Sequence, residues 1–224
     1  MSLIVTPFKM ISIFTRNYCY LIYDSISREA VVIDPAGEAS LLSDAIVRHD
    51  LKLKAALITH THPDHIMLAQ YFMERHGCCI YVSSKEELSC FSHIQEGLSL
   101  ISEETPLQIG QLVVTPMHTP GHTLGSICYL IGDNLFTGDT LFIEGCGMCF
   151  DGRSDPRQLF SSLNKLKHMI PPYTKIYPGH SYGQEPGTDF SYLLANNIYL
   201  QFKDESMFVA FRMRKGQTGL LNFQ

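Results

Sequence analysis

The chain has 224 residues, of which 45% are apolar and 17% charged, a balance that indicates a globular protein with a sizeable core rather than a disordered chain. Its formal net charge of −5 argues against a nucleic-acid-binding protein, since such proteins usually carry a basic face. No apolar run approaches the roughly 18 residues that a membrane-spanning helix needs. The seven cysteines follow no secretory signal pattern, so we expect reduced thiols and a cytoplasmic protein.

β-branched and aromatic residues cluster in four early segments, which predict strands at 3–5, 10–14, 18–23 and 30–33. Helical spacing of apolar residues then predicts a helix over 39–49, followed by a strand over 53–58. A second helix is expected over 64–76, because Pro63 suits the first turn of a helix and Gly77 can end one.

The rest of the chain alternates strand and helix patterns. Turn residues at 110–111 and 133–134 divide the stretch 107–136 into consecutive hairpins. The N-cap of the helix that follows them is Ser154 or Asp155. The other patterns predict a strand at 80–82, a short helix at 85–91, a helix at 156–168, a strand at 175–177 and mostly helix over 190–213.

This order of elements predicts an α/β protein. Each half pairs a mainly antiparallel sheet with helices on one side, and two such sheets packed face to face give a four-layer α/β/β/α sandwich. We expect one domain over residues 1–185, with a short helical extension over 186–224 packed on it.

The hexapeptide at 60–65 reads HTHPDH, and four of its six side chains can bind a metal ion. Three imidazoles and one carboxylate suit zinc or iron. The motif follows the apolar run 55–58, and ligands at the end of a strand project into the crevice where open α/β sheets bind their ligands. The sequence therefore predicts a metal centre at this edge of the sheet.

Three downstream residues complete the candidate ligand set. His122, Asp139 and His180 each follow a β-like run and lie beside a glycine, which lets the backbone turn sharply and approach a metal. His118 competes with His122, and we favour His122 because Gly121 precedes it.

The pattern H-x-H-x-D-H, P-G-H, T-G-D and P-G-H resembles the metallo-β-lactamase superfamily over most of the chain. The resemblance implies the α/β/β/α fold and two divalent metal ions, with zinc as the first expectation and iron or manganese as alternatives. It implies that Asp139 bridges the two ions and that Asp34 holds the ligand loop. The remaining ligands divide into His60, His62 and His122 for one ion, and Asp64, His65 and His180 for the other.

The resemblance also implies hydrolysis by attack of a metal-bound hydroxide, with Asp64 orienting the water or accepting its proton. Residues 137–152 and the P-G-H-x-Y run ending at Tyr182 resemble glyoxalase II, which hydrolyses acyl-glutathione thioesters. Glyoxalase II usually has lysine and tyrosine where this chain has Met148 and Phe150, so these residues and Tyr182 are the candidate substrate contacts.

The apolar pair at 148 and 150 favours a less charged thiol arm, such as coenzyme A or pantetheine on a carrier protein. The whole chain resembles small glyoxalase II-like hydrolases of bacterial polyketide assembly lines. We therefore expect a small-molecule or carrier-bound thioester as the partner, no nucleic acid or membrane, and a monomer or homodimer.

Three alternative functions share parts of this pattern. A mononuclear iron persulfide dioxygenase has the same fold, but its loop after the bridging aspartate tends to carry C-G-R-T-D, where this chain has CGMCF at 146–150. A lactonase or phosphodiesterase of the same fold is the second alternative. A non-catalytic binding protein is the third, and seven ligands without a metal would carry desolvation costs without return.

Overall fold

The computed structural model describes residues 2–11, 16–150 and 152–215, which contain two six-stranded sheets. The strands of the first sheet are β1 (Leu3–Ile11), β2 (Arg16–Asp24), β3 (Glu29–Ile33), β4 (Lys52–Leu57), β5 (Cys79–Ser83) and β6 (Leu98–Ile101). The strands of the second sheet are β7 (Leu107–Ile109), β8 (Leu112–His118), β9 (Ile127–Ile131), β10 (Asn134–Gly138), β11 (Lys175–Pro178) and β12 (Thr188–Asp189). Neighbours along the chain are also neighbours within each sheet.

The two sheets enclose a shared apolar core. Tyr20 and Ile33 of the first sheet belong to the same buried cluster as Leu112, Tyr129 and Phe136 of the second. The rings of Tyr20 and Phe136 lie 5.3 Å apart. The inner faces of the sheets therefore pack against each other.

Helices cover both outer faces. They are α1 (Ala39–Arg48), α2 (Pro63–Ile66), α3 (Ala69–His76), α4 (Pro156–Met169), α5 (Phe190–Asn196) and α6 (Glu205–Arg212). Leu42 of α1 and Phe72 of α3 pack on the first sheet. Leu163 of α4 and Phe208 of α6 pack on the second. The predicted α/β/β/α sandwich is confirmed.

The first sheet is not mainly antiparallel, and this part of the prediction is wrong. Its β1–β2 and β2–β3 pairs are antiparallel, but β3–β4, β4–β5 and β5–β6 are parallel. Helices α1 and α3 each connect two successive strands, and a helical crossover returns the chain in the same direction.

Several elements differ from the expectations. The predicted helix over 64–76 is broken, because the Leu68 N–H donates to Pro35 O (2.8 Å) rather than within a helix. The predicted strands at 3–5 and 10–14 are merged in β1, with 12–14 outside the described residues. Only a 3-10 turn forms in the predicted helix at 85–91, and β6 was not predicted.

The C-terminal elements share a core with the rest of the molecule. Phe190 and Leu193 of α5 belong to the same buried cluster as Leu159 of α4. The predicted boundary at residue 185 stays a prediction. Within the described ranges, every helix is too short or too polar to cross a membrane. All seven cysteines are described and none forms a disulfide.

Candidate metal centre

The seven candidate ligands meet at one edge of the sandwich. The hexapeptide at 60–65 runs from the end of β4 into α2, while His122 lies between β8 and β9, Asp139 directly follows β10, and His180 follows β11. The ligand atoms form three overlapping groups, each within 4.8 Å: His60, His62 and His122; His60, His65 and Asp139; Asp64, His65 and His180.

The first group is a cluster of three imidazoles with defined orientations. His62 Nδ1 lies 3.0 Å from both His60 Nε2 and His122 Nε2. On their outer sides, His60 Nδ1 contacts Thr59 Oγ1 (3.1 Å) and His122 Nδ1 donates to Met148 O (2.8 Å). Tetrahedral zinc with Zn–N bonds of about 2.0–2.1 Å places its nitrogen ligands roughly 3.3 Å apart. The spacing of the three inner nitrogens therefore fits a metal ion.

Asp34 joins this group to the next one. Its Oδ1 accepts from the Thr59 N–H (2.8 Å), and its Oδ2 accepts from Thr59 Oγ1 (2.6 Å) and His65 Nδ1 (2.8 Å). Asp34 is buried and adopts φ = +49°, a conformation that is uncommon outside glycine. The carboxylate thereby orients His65 Nε2 towards the centre.

Two buried atoms at the centre have no hydrogen-bond partner among the described residues. They are His65 Nε2 and Asp139 Oδ1, which lie 3.5 Å apart. Buried polar atoms normally have hydrogen-bond partners. A nitrogen and a carboxylate oxygen that lack such partners can both serve as ligand atoms for a cation. The residues present thus fit a divalent metal.

Asp139 occupies the middle of the ligand set. Its Oδ2 lies 3.5 Å from His122 Nε2 and 3.5 Å from His180 Nε2. Burial raises the pKa of this carboxyl, but His180, His65 and His122 outweigh burial and hold the pKa well below its usual range. Asp139 is therefore an anion at neutral pH.

The imidazoles have divergent pKa values. Burial, reinforced by His65 and His122, lowers the pKa of His60 well below its usual value. Burial also lowers the pKa of His65, but Asp34 and Asp139 outweigh it and raise the pKa to about 10. The raised pKa favours a protonated His65 beside these carboxylates at neutral pH, and a metal ion bound through Nε2 would release a proton.

Gly179 allows the His180 loop to approach the ligands. A Cβ atom at this position would lie 2.5 Å from Asp139 Oδ1 and 2.6 Å from His65 Cε1. The glycine beside His180 is therefore required by close packing rather than by a turn.

The model of the metallo-beta-lactamase superfamily matches residues 13–180, which include all seven candidate ligands. The chain belongs to this superfamily.

Two curated relatives of this chain indicate which class of protein within the superfamily it resembles. It is 40% identical over 208 residues to the probable polyketide biosynthesis zinc-dependent hydrolase BaeB of Bacillus velezensis, covering 93% of this chain and 92% of the relative. It is 37% identical over 182 residues to a hydroxyacylglutathione hydrolase of Shewanella loihica, covering 80% of this chain and 66% of that longer protein.

A solved structure supports the fold. ETHE1 from Myxococcus xanthus superposes with a TM-score of 0.79 at 29% identity, covering 92% of this chain and 89% of that one. Together the matches confirm the predicted class, a metal-dependent hydrolase of the metallo-beta-lactamase superfamily.

The three candidate substrate residues of this superfamily member differ in their surroundings. Met148 is half-buried, and its carbonyl accepts the His122 hydrogen bond. Phe150 is 73% exposed. The ring of Tyr182 lies 5.5 Å from Phe142, whose ring lies 5.7 Å from His180. Tyr182 is thus connected to the ligands through an aromatic contact, whereas Phe150 projects outwards.

Among the described residues, the three ligand groups include neither the competitor His118 nor the two cysteines of the CGMCF stretch at 146–150. His118 belongs to none of the three ligand groups, and its backbone N–H donates to Glu104 Oε1 (2.7 Å). The two cysteines of that stretch, Cys146 and Cys149, are buried. Burial raises the pKa of the Cys146 thiol to about 12, so thiolate chemistry at neutral pH is disfavoured.

Sequence reasoning missed residues that orient the ligands from behind. Thr59 links His60 to Asp34, and Asn17 Nδ2 donates to Asp64 O. The position of Thr59 directly before the motif was the only sequence signal for it. Asn17 comes from the distant strand β2 and has no such signal.

Proposed function

We propose that this protein hydrolyses a thioester with two divalent metal ions, zinc being the first expectation. His60, His62 and His122 would hold one ion, Asp64, His65 and His180 would hold the other, and Asp139 would contribute to both sites. The main support is the set of inward-facing ligand atoms, in which each of the three groups lies within 4.8 Å. Asp34 and Met148 O hold the outer nitrogens of two of the imidazoles.

When bound, two such ions supply activated water and stabilise the negative charge that develops on the substrate carbonyl. In this proposal Asp64 orients the attacking water and takes its proton, since its side chain is 21% exposed and thus open to solvent. The water oxygen bonds to the acyl carbon, the carbon–sulfur bond breaks, and the thiolate leaves with a proton returned from Asp64. Asp139 stays ionised and shares its two oxygens between His65 on one side and His122 and His180 on the other.

The thioester class is supported by the glyoxalase II-like stretch 137–152 and by the two relatives named above. A carrier-bound or coenzyme A thioester is favoured over acyl-glutathione, because Met148 and Phe150 replace the lysine and tyrosine usual in glyoxalase II. Tyr182 and Met148 would line the path of the thiol arm, with Phe150 at its outer end.

The test combines metal analysis with a panel of acyl-pantetheine, acyl-coenzyme A and acyl-glutathione substrates and glutathione persulfide. Two metal ions per chain and thiol release from a thioester are expected. One iron per chain with oxygen uptake on the persulfide would replace this proposal with the dioxygenase.

A further inference from the structure

Glu86 is a buried carboxylate that the proposed function does not use. It lies between β5 and the 3-10 turn at Ser89–Phe91 and is 8% exposed. Its Oε2 accepts from both the N–H (3.1 Å) and the hydroxyl (2.6 Å) of Thr61. Thr61 is the residue between His60 and His62, so this oxygen holds the turn that presents both imidazoles.

The other oxygen of the same carboxylate holds a second ligand loop. Glu86 Oε1 accepts from the Gly125 N–H (3.1 Å) and from the Thr123 hydroxyl. Thr123 directly follows His122, and its N–H and hydroxyl also contact Ser126 Oγ, at 3.0 and 2.6 Å. One side chain therefore connects the loop of the first two imidazoles to the loop of the third.

From this connection we infer that Glu86 is a positioning residue for the metal site of His60, His62 and His122. Hydrogen bonds to an ionised acceptor are about twice as strong as neutral ones, and here four donors fix both oxygens. The N–H donors belong to the backbone and cannot rotate away. The carboxylate thus sets the distance between the His60–His62 turn and the His122 loop. These two segments are far apart along the chain, and Glu86 connects them. In the group of Asp64, His65 and His180, it is Asp34 that orients His65, through the hydrogen bond from His65 Nδ1.

A purely structural role would predict a different result. If Glu86 only closed two surface loops, its loss would lower the stability of the fold without changing the affinity for one ion relative to the other. A positioning role predicts a selective loss at the three-histidine site. Outer partners of metal ligands typically contribute 10- to 100-fold in metal affinity.

The main test is Glu86→Gln, with Glu87→Gln as the matched control. Glutamine places an NH2 group where an oxygen now accepts a backbone N–H, so one loop loses its acceptor. Glu87 is the exposed neighbour, and its substitution makes the same change in charge. Competition with a chromophoric chelator measures the two zinc dissociation constants. One of them should rise 10- to 100-fold in Glu86→Gln, and neither should change in Glu87→Gln. Two unchanged constants, or equal weakening of both, in folded Glu86→Gln protein would overturn the inference.

Threonine substitutions provide a second test that does not depend on the folding of the Glu86 variant. Thr61→Val and Thr123→Val keep the side-chain shape but remove a hydroxyl donor, whereas Thr61→Ser and Thr123→Ser keep the donor. The valine variants should raise the same dissociation constant, and the serine variants should leave it unchanged. Equal zinc affinities for the valine and serine variants at each position would overturn the inference. The inference rests on the proposed metal assignment but not on the substrate. Wild-type protein that binds two ions yet cleaves no thioester would refute the proposed function alone.

Discussion

At the scale of single residues, Asp139 has the largest share in the centre. It follows β10 directly, is buried, and lies 3.5 Å from ligand nitrogens of three histidines. Removing its charge would leave those imidazoles facing one another without a shared anion. Removing one partner from a buried group of charges is strongly destabilising, because the remaining charges are left uncompensated.

We therefore predict that Asp139→Ala loses both metal ions and all detectable turnover. Metal content after gel filtration and thioester hydrolysis are the measurements. Asp133→Ala is the control, because Asp133 lies in the exposed turn before β10. Full metal content with retained activity in Asp139→Ala would refute the shared-ligand assignment.

At the scale of elements, the loop from residue 141 to 149 lies between the metal centre and the C-terminal helices. Buried Asn197 Nδ2 donates to three of its carbonyls, those of Phe142 (3.0 Å), Ile143 (3.2 Å) and Gly145 (2.9 Å). The same loop accepts the His122 hydrogen bond at its Met148 end. The C-terminal segment thereby supports a loop that contacts His122 and carries the candidate substrate residue Met148, with Phe150 directly after it.

Substitutions at Met148 and Phe150 should change which thiol the protein prefers in its thioester substrate. The double variant Met148→Lys, Phe150→Tyr introduces a cation and a hydroxyl that suit the carboxylates of glutathione. We expect a higher kcat/KM for acyl-glutathione relative to acyl-pantetheine, measured side by side. Met169→Lys, at an exposed site on α4, is the control for added charge. An unchanged preference would show that this loop does not choose the thiol.

Helix α4 starts with a specific cap that also contacts a ligand loop. Asp155 Oδ1 accepts from the N–H groups of Arg157 (2.8 Å) and Gln158 (3.4 Å), and the Asp155 N–H donates to Gly121 O (2.8 Å). The choice between Ser154 and Asp155 is thus settled as Asp155. The cap connects the start of the helix to the residue before His122.

Asp155→Ala should lower the free energy of unfolding by about 1 kcal/mol, while Asp155→Asn should keep most of the cap. Burial raises the pKa of Asp155, but the hydrogen bonds from Arg157 and Gln158 outweigh burial and lower it. A lowered pKa means that the charged cap stabilises the fold above the unfolded value of about 3.9 and that this contribution is lost as the pH falls below it. Urea unfolding at neutral pH and at a pH about one unit or more below 3.9 should show a difference from Asp155→Ala that shrinks on acidification. A constant difference would contradict a charge-dependent cap.

At the scale of the whole molecule, the metal centre joins the two halves of the sandwich. The hexapeptide at 60–65 belongs to the first half, and His122, Asp139 and His180 belong to the second. Direct hydrogen bonds also cross between the halves at this edge, since the Tyr20 hydroxyl donates to Pro178 O (2.5 Å). Metal ions at the centre would therefore act as cross-links between the sheets.

Metal removal should lower thermal stability. A ligand that binds only the folded state stabilises it by about 4 kcal/mol at 1,000 times its Kd. For a chain of this size that corresponds to a rise in Tm of roughly 10 °C. Differential scanning calorimetry with and without a chelator is the measurement, and Asp139→Ala should show a much smaller rise. Equal Tm values for metal-loaded and metal-free wild type would contradict a cross-linking role.

Local sequence patterns predicted a helix correctly where no hydrogen bond from a distant part of the chain interrupted it. The helix over 39–49 and the capped helix over 156–168 match α1 and α4 within one residue at each end. The helix over 64–76 failed at Leu68, whose N–H bonds to Pro35 rather than to the preceding turn. Strand direction in the first sheet was also missed, because hydrophobic alternation is the same for parallel and antiparallel neighbours.

The sequence alone predicted which side chains meet at this edge of the sandwich, because histidines and aspartates placed after strands form a local pattern. It also determined the class of protein, through the order and spacing of four short motifs. Only the tertiary structure revealed the groups that hold these ligands: Thr59 behind His60, and Glu86 between two ligand loops. Glu86 lies 25 residues from Thr61 and 39 from Gly125. A contact across such distances has no period or spacing along the chain, so it exists only once the sheets have packed.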